Sequence, residues 1–420
     1  MRLSGTPSLN AHQSMIRLKA NNRLKIMSIV GARPNMMKVA PLLAELRRHD
    51  ELEPVLVHTG QHYDYSMSQV FFDQLGVPPP DYNLDAGSGP HYAQTAEIMR
   101  KFGDLVQHDR PDLVLVAGDV NSTIACALVA AKERIPVAHV EAGLRSFDRS
   151  MPEEINRVLT DALSDFLFTT EESANRNLAN EGVAPDKVFF VGNLMIDSLV
   201  RALKIARPSS LRLELGLRAK PYAVLTLHRP SNVDHGDELK RTLEAIAEIA
   251  ERLPVVFPAH PRTARNIEAA AGEAAGPSAI RVWKGGLLPE RGLWMMPPAS
   301  YLDFLDLIGH AVMVITDSGG VQEETTFLGI PCLTYRENTE RPVTVSMGTN
   351  RVVGCDPQHL LLSALETIEN AQHNQDRSAL IRPAPTRPPL WDGRTAPRIV
   401  RVLKEAYQRD PACTGEHVPR

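Results

Sequence analysis

The chain has 420 residues, more than one hydrophobic core ordinarily serves, so two domains are expected. Apolar residues make up 43% and charged residues 23%, with a formal net charge of −4, which argues against a nucleic-acid footprint or a polybasic membrane patch. The four cysteines, Cys126, Cys332, Cys355 and Cys413, are far apart and form no CxxC pair, which excludes the usual thiolate zinc spacings and suits a reducing, cytoplasmic setting.

Residues 1–23 are polar and lack an apolar h-region, so they read not as a secretory signal but as a flexible extension, or as residues before a true start at Met15 or Met27. Short runs rich in Val, Ile and Leu then follow at Leu24–Val30, Pro54–Thr59, Asp112–Gly118, Val137–Val140, Phe166–Thr169 and Val188–Val191. Segments with helical periodicity, such as Pro41–Arg48 and Ile124–Arg134, separate them. Continuous apolar strands alternating with helices indicate a parallel sheet covered on both faces. The pattern pauses near 196–212 and restarts at Tyr222–Leu227, Val255–Pro258, Ile280–Trp283, Val312–Thr316 and Cys332–Thr334. The expected fold is therefore α/β, with two Rossmann-like doubly wound domains, the first over 24–197 and the second over 198–392. Lys284–Ser300 reads as a long loop, either a lid or an interface. Arg382–Pro389 reads as a linker, followed by an amphipathic helix at Ala396–Tyr407 and a tail at 409–420.

In such domains ligands sit beyond the carboxyl ends of the strands, so the residues there are the candidates for chemistry. Gly31-Ala32-Arg33-Pro34 leads into a helix carrying Lys38, a weak anion site at a helix N-terminus. Asp119 follows the third apolar run and, taken alone, is better explained as a helix N-cap than as a catalytic group. Glu141 ends His139-Val140-Glu141, where capping is a poor explanation and a carboxylate facing a cleft a better one. Met151-Pro152-Glu153-Glu154-Ile155-Asn156-Arg157 reads as a helix first turn, with Glu153 and Arg157 spaced to pair. His228 ends a strand in the second series, where a histidine is more often a hydrogen-bonded structural residue; paired with Arg229 it suits phosphate binding or proton donation, and His260 is a weaker case. Thr316-Asp317-Ser318-Gly319-Gly320-Val321-Gln322-Glu323-Glu324 is the strongest local signal: a glycine turn into a helix that can cradle phosphate, with Glu324 placed for a ribose and Arg341 for a diphosphate.

In order, GARPNMMKVAPL, TGQHYD, GDVNST, HVEAGLRS, MPEEINR, LHRPSN, TDSGGVQEE and TERP resemble the non-hydrolysing UDP-N-acetylglucosamine 2-epimerase family over roughly residues 24–408. The resemblance implies a GT-B-like pair of domains with the active site in the interdomain cleft, and a C-terminal helix, 393–408, that joins the first domain. It implies nucleotide contacts at Arg33, the backbone of Phe304, Ser318, Gly319, Gly320, Glu324 and Arg341, and a catalytic set of Asp119, Glu141, Glu153, His228, Lys38 and Arg157. It further implies a UDP-sugar substrate, a homodimer, no metal and no other cofactor. Three positions depart from the family pattern: Asn35 replaces a common Glu, Pro-Ser-Asn follows His228-Arg229, and Gln61-His62 continues as Tyr63-Asp64 without a matching Arg around Gly87–Tyr92. A regulatory second UDP-sugar site of the usual kind is therefore not expected. The departures leave room for a modified UDP-HexNAc such as a diacetamido uronic acid. A hydrolysing relative, a GT-B glycosyltransferase and a nucleotide-sugar sensor are the rival readings.

Overall fold

The structure, a computed structural model, describes residues 23–61, 78–205, 210–234, 236–272, 280–376 and 387–408. The expected N-terminal extension before Arg23, His62 through Asp64, most of the Pro-rich linker and the tail lie outside these residues. The chain divides into two compact units, Met1–Arg201 with Pro389–Arg420, and Ala202–Pro388.

The first unit is built on β1 (Leu24–Val30), β2 (Leu52–His58), β3 (Tyr82–Asn83), β4 (Leu113–Ala117), β5 (Val137–Ala142), β6 (Phe166–Thr169) and β7 (Val188–Phe190). They form one parallel seven-stranded sheet in the order β3-β2-β1-β4-β5-β6-β7. β4 and β5 are buried along their whole length, which is why they read as unbroken apolar runs and not as alternating ones. Strand order reverses between β1 and β4, so the carboxyl ends of these strands and of neighbouring β5 open at a topological switch point.

Helix Arg33–Leu46 shows how side chains repair a local conflict. Pro41 lies inside it and has no N–H to give the carbonyl of Met37. The buried Ser198 hydroxyl donates to that carbonyl instead. The C-terminal helix, Thr395–Gln408, is tied into the same unit. The Asp197 carboxylate accepts the N–H groups of Thr395 (3.0 Å) and Ala396 (2.8 Å) at its first turn. Just before it, the fully buried Trp391 donates its indole N–H to the Thr170 carbonyl at 3.0 Å.

The second unit repeats the plan with β8 (Ala223–Thr226), β9 (Val255–Pro258), β10 (Ile280–Val282), β11 (Leu293–Met296), β12 (Met313–Thr316), β13 (Cys332–Thr334) and β14 (Asn350–Val352). Its parallel seven-stranded order is β10-β11-β9-β8-β12-β13-β14, with the switch between β8 and β12. The α/β, doubly wound class expected from the alternation of patterns is the class observed. One expectation is corrected. Leu293-Trp294-Met295-Met296 is neither a lid nor an interface loop; it is β11, paired on both sides, with Leu293, Met295 and Met296 buried. Its flanking Gly and Pro clusters bound a strand of four residues and do not interrupt a loop.

Candidate active site

In the first unit, register places the candidate acids side by side. Ala117 of β4 lies opposite Val140 of β5, so Asp119 and Glu141 leave adjacent strand ends. Pairing between β5 and β6 shifts between Val140 and Ala142, making Glu141 the bulged residue. Its φ is +69°, the left-handed region that a side chain with Cβ enters at a cost of about 1–3 kcal/mol. Its side chain is buried, and Oε2 lies 2.6 Å from Lys38 Nζ. Gly118 makes room for this pair: with φ +68°, it has no Cβ, and a Cβ there would meet Lys38 Nζ at 2.9 Å.

A buried network fixes the bulge. Asp161 accepts from His139 Nδ1 (2.6 Å), from the N–H of Gly143 (3.0 Å) and from Arg145 Nη2 (2.7 Å). It thereby grips β5 on both sides of Glu141. His139 Nε2 reaches the Gly118 carbonyl at 2.9 Å, linking the ends of β4 and β5. Burial pushes the Asp161 carboxyl up, but His139 and Arg145 outweigh it and hold it below the usual carboxylate range.

The expected Glu153–Arg157 pair is not the one formed. Arg157 gives Nη1 to Glu154 Oε2 at 2.7 Å and Nη2 to Asp119 Oδ2 at 2.5 Å. Asp119 thus serves as an ion-pair partner, and Val120 takes the N-cap position of helix Asn121–Lys132. An i,i+3 contact competes with i,i+4 on any helix, and Glu154 wins because its other bonds lock it inward: it accepts the N–H groups of Ser146 and Phe147, both at 2.9 Å. Glu153 stays half-buried on the first turn. Asn35 is buried and donates its amide nitrogen to the Ala117 carbonyl at 2.5 Å. The side chain of Arg33 lies outside what the structure describes. Gln61 is buried, and its Oε1 accepts from the N–H (3.0 Å) and the hydroxyl (2.6 Å) of Ser122.

In the second unit, Thr316 of β12 lies opposite Thr226 of β8, so Asp317, Ser318 and His228 emerge together. Ser318 is the N-cap of helix Gly319–Leu328, and its side chain makes no capping hydrogen bond. The helix opens with the N–H groups of Gly319 and Gly320, an anion-binding end. The Arg341 guanidinium lies against Gly319 so closely that a Cβ there would meet Nη1 at 2.4 Å. Glu323 Oε1 pins Arg341 Nε at 2.6 Å, and buried Glu340 pairs with Arg336 (2.7 Å), Arg341 (3.4 Å) and Arg229 (3.5 Å). Glu324 is buried and accepts the Tyr301 hydroxyl at 2.9 Å. Phe304 lies on helix Tyr301–Gly309, its amide N–H committed to the Ser300 carbonyl at 2.8 Å. His228 is half-exposed, with Nδ1 2.8 Å from Asp317.

Sequence reasoning passed over Glu154, Asp161, Asp317 and Glu340 as members of these clusters. Asp317 and Glu154 each sat inside a motif already singled out, directly after a strand or beside a named acid. Their signal was burial, which spacing does not reveal. Among the described residues no three His, Cys, Asp or Glu side chains gather as a metal site, and no helix is long and apolar enough to cross a membrane.

Two doubly wound α/β units, one with ion-paired carboxylates at its switch point and the other with a glycine turn backed by arginine, define a two-domain α/β class of protein. The family model for UDP-N-acetylglucosamine 2-epimerase matches residues 44–404, and the chain belongs to that family. It is 45% identical over 340 residues to a UDP-N-acetylglucosamine 2-epimerase homolog of Methanococcus maripaludis, covering 80% of this chain and 91% of that one. It is 41% identical over 345 residues to the UDP-2,3-diacetamido-2,3-dideoxy-D-glucuronate 2-epimerase of Pseudomonas aeruginosa, covering 81% and 91%. The crystal structure of Methanocaldococcus jannaschii UDP-GlcNAc 2-epimerase in complex with UDP-GlcNAc and UDP is similar at a TM-score of 0.78 and 38% identity, over 91% of this chain and 100% of that one.

Proposed function

We propose that this chain reversibly inverts C2 of UDP-N-acetylglucosamine, giving UDP-N-acetylmannosamine without releasing free sugar. The observation that carries the reading is Glu141: a buried carboxylate, held in a left-handed bulge at a strand end and paired with Lys38. Strain of this kind persists where surrounding structure imposes it, and it clusters at sites of chemistry.

The substrate sets the demands. C2–H of a pyranose has no adjacent carbonyl and is not acidic. As the C1–O bond to UDP breaks, C1 gains oxocarbenium character, and a carboxylate removes the C2 proton with its electron pair forming the C1–C2 double bond. The products are 2-acetamidoglucal and UDP. In the return step the diphosphate oxygen bonds to C1 while a proton is delivered to the opposite face of C2. Two carboxyl groups and a stabilised diphosphate are therefore needed. Asp119, Glu141 and Glu153 supply candidates for the proton transfers, with Lys38 and Arg157 balancing charge. Ser318, Gly319, Gly320, Arg341 and His228 suit the diphosphate, and Glu324 the ribose, with Arg33 and Phe304 completing the nucleotide contacts. The reading includes a cytoplasmic homodimer that provides a precursor for surface polysaccharide.

The similarity to the P. aeruginosa relative, named for a diacetamido glucuronate, favours a second reading in which the sugar carries further substituents. Incubating the purified chain separately with UDP-GlcNAc and with the diacetamido uronate, and following C2 by NMR, tests both. Faster inversion of UDP-GlcNAc supports the first reading. Turnover of the uronate alone replaces it with the second, and accumulation of free N-acetylmannosamine replaces it with hydrolysis.

A further inference from the structure

Asp317 has no part in the scheme above, yet it is wholly buried at the switch point of the second sheet. Among the described residues, every hydrogen bond to its carboxylate comes from the segment that carries His228. It accepts the main-chain N–H of His228 (3.0 Å), the N–H of Arg229 (2.9 Å), the side-chain amide of Asn232 (3.1 Å) and the imidazole Nδ1 (2.8 Å). Burial pushes this carboxyl up, but the His228 ring and the N–H groups outweigh it and keep it below the usual carboxylate range. An ionised carboxylate only accepts hydrogen bonds, so the ring nitrogen facing it carries the proton. The other nitrogen, Nε2, is then the one available to a ligand on a ring that is 55% exposed.

We propose that Asp317 is a positioning residue for the epimerisation, holding His228 as the Nδ1–H tautomer and directing Nε2 toward the diphosphate oxygen that leaves C1 and returns to it. The inference rests on the reaction proposed above. When Nε2 holds a proton it donates to the departing oxygen, and Asp317 compensates the ring's charge; when it does not, the same nitrogen takes the proton back. A carboxylate that orients an imidazole in this way fixes both the tautomer and the angle of approach. The arrangement also explains why the acid follows β12 immediately. Thr226 and Thr316 are in register, with their hydroxyls 2.7 Å apart, so an acid one residue past Thr316 meets a histidine two residues past Thr226.

The test uses the full chain with 15N-labelled histidine, and long-range 1H–15N correlation of the ring at mildly alkaline pH. The His228 signal is assigned by its loss in His228→Gln. The wild-type ring is expected as Nδ1–H without any ligand present. Asp317→Asn, whose amide can donate to Nδ1, is expected to shift it to Nε2–H. In that variant kcat should fall by on the order of 10²–10⁴-fold, with UDP affinity changed by less than about threefold. Asp317→Glu, which keeps the acceptor, should recover part of the rate. An Nε2–H ring in the wild type overturns the proposal, as does Asp317→Asn turning over within about threefold of wild type. If Asp317→Asn fails to fold, the wild-type tautomer decides alone. Because that readout needs no substrate, a chain with the Nδ1–H ring that leaves UDP-GlcNAc unchanged would count against the reaction and not against the Asp317–His228 geometry.

Discussion

Lys38 Nζ lies 2.6 Å from Glu141 Oε2, both side chains are buried, and the backbone of Glu141 has a φ of +69°. A buried ion pair contributes little net stability, because desolvating both charges offsets most of their attraction. Adding backbone strain makes the arrangement worse for folding than an apolar pair would be. The arrangement is of the kind expected where the proposed chemistry, and not folding, sets the demand at Glu141.

Glu141→Gln separates the two roles. It keeps shape and backbone but cannot take a proton, so kcat should fall by on the order of 10²–10⁴-fold while UDP still binds. It also leaves Lys38 charged and unpaired, at a cost of about 3–5 kcal/mol to the first unit. Adding Lys38→Met should recover much of that stability, read by thermal denaturation, and none of the turnover. Recovery of turnover in the double variant would remove Glu141 from the proton transfers.

Gly319→Ala tests the second unit. Its Cβ would lie 2.4 Å from Arg341 Nη1, and Glu323 restrains that guanidinium from moving aside. UDP affinity by calorimetry should fall on the order of tenfold, about 1.4 kcal/mol, and the unit should melt earlier, because the displaced guanidinium strains its pair with Glu323. Unchanged affinity would show that Arg341 and the turn do not act on the nucleotide together.

The acid limb of stability should report Glu154. Burial pushes its carboxyl up, but the N–H groups of Ser146 and Phe147 and the Arg157 guanidinium outweigh this and hold it below its ordinary value. With the folded-state pKa below the unfolded one, the stabilisation is full at neutral pH. It is lost as pH falls through about 4 toward the folded value. Glu154→Gln should be less stable near neutrality by roughly 2–4 kcal/mol and show a shallower decline on acidification. A parallel decline in both proteins would assign the acid limb to other groups, Asp161 among them.

Ser198→Ala should cost the first unit about 1–3 kcal/mol, because the Met37 carbonyl that Pro41 cannot serve loses its donor. A denaturant midpoint unchanged from wild type would contradict this account of the proline.

Much of the architecture was legible because buried parallel strands write themselves as unbroken apolar runs. Leu113–Ala117 and Met313–Thr316 are visible for that reason. Tyr82–Asn83 and Asn350–Val352 were not, the first being two exposed residues and the second carrying Asn350 and an exposed Arg351 in place of an apolar run, and β11 was hidden between Gly292 and Pro297. At the candidate site, strand-end position brought out Asp119, Glu141 and His228. Pairing was harder. Spacing allowed Arg157 to meet Glu153, whereas the choice of Glu154 depends on two N–H groups from a loop earlier in the chain. The left-handed backbone of Glu141 leaves no mark in the sequence, because glutamate has no local preference for that region and tertiary structure imposes it.

The most direct test of the proposed reaction is incubation of the purified chain with UDP-N-acetylglucosamine in deuterated water, followed by NMR at C2. Elimination and re-addition predict deuterium at C2 of both UDP-sugars as they interconvert, with no free sugar accumulating. Inversion with the C2 proton fully retained, or no exchange at C2 at all, would contradict it.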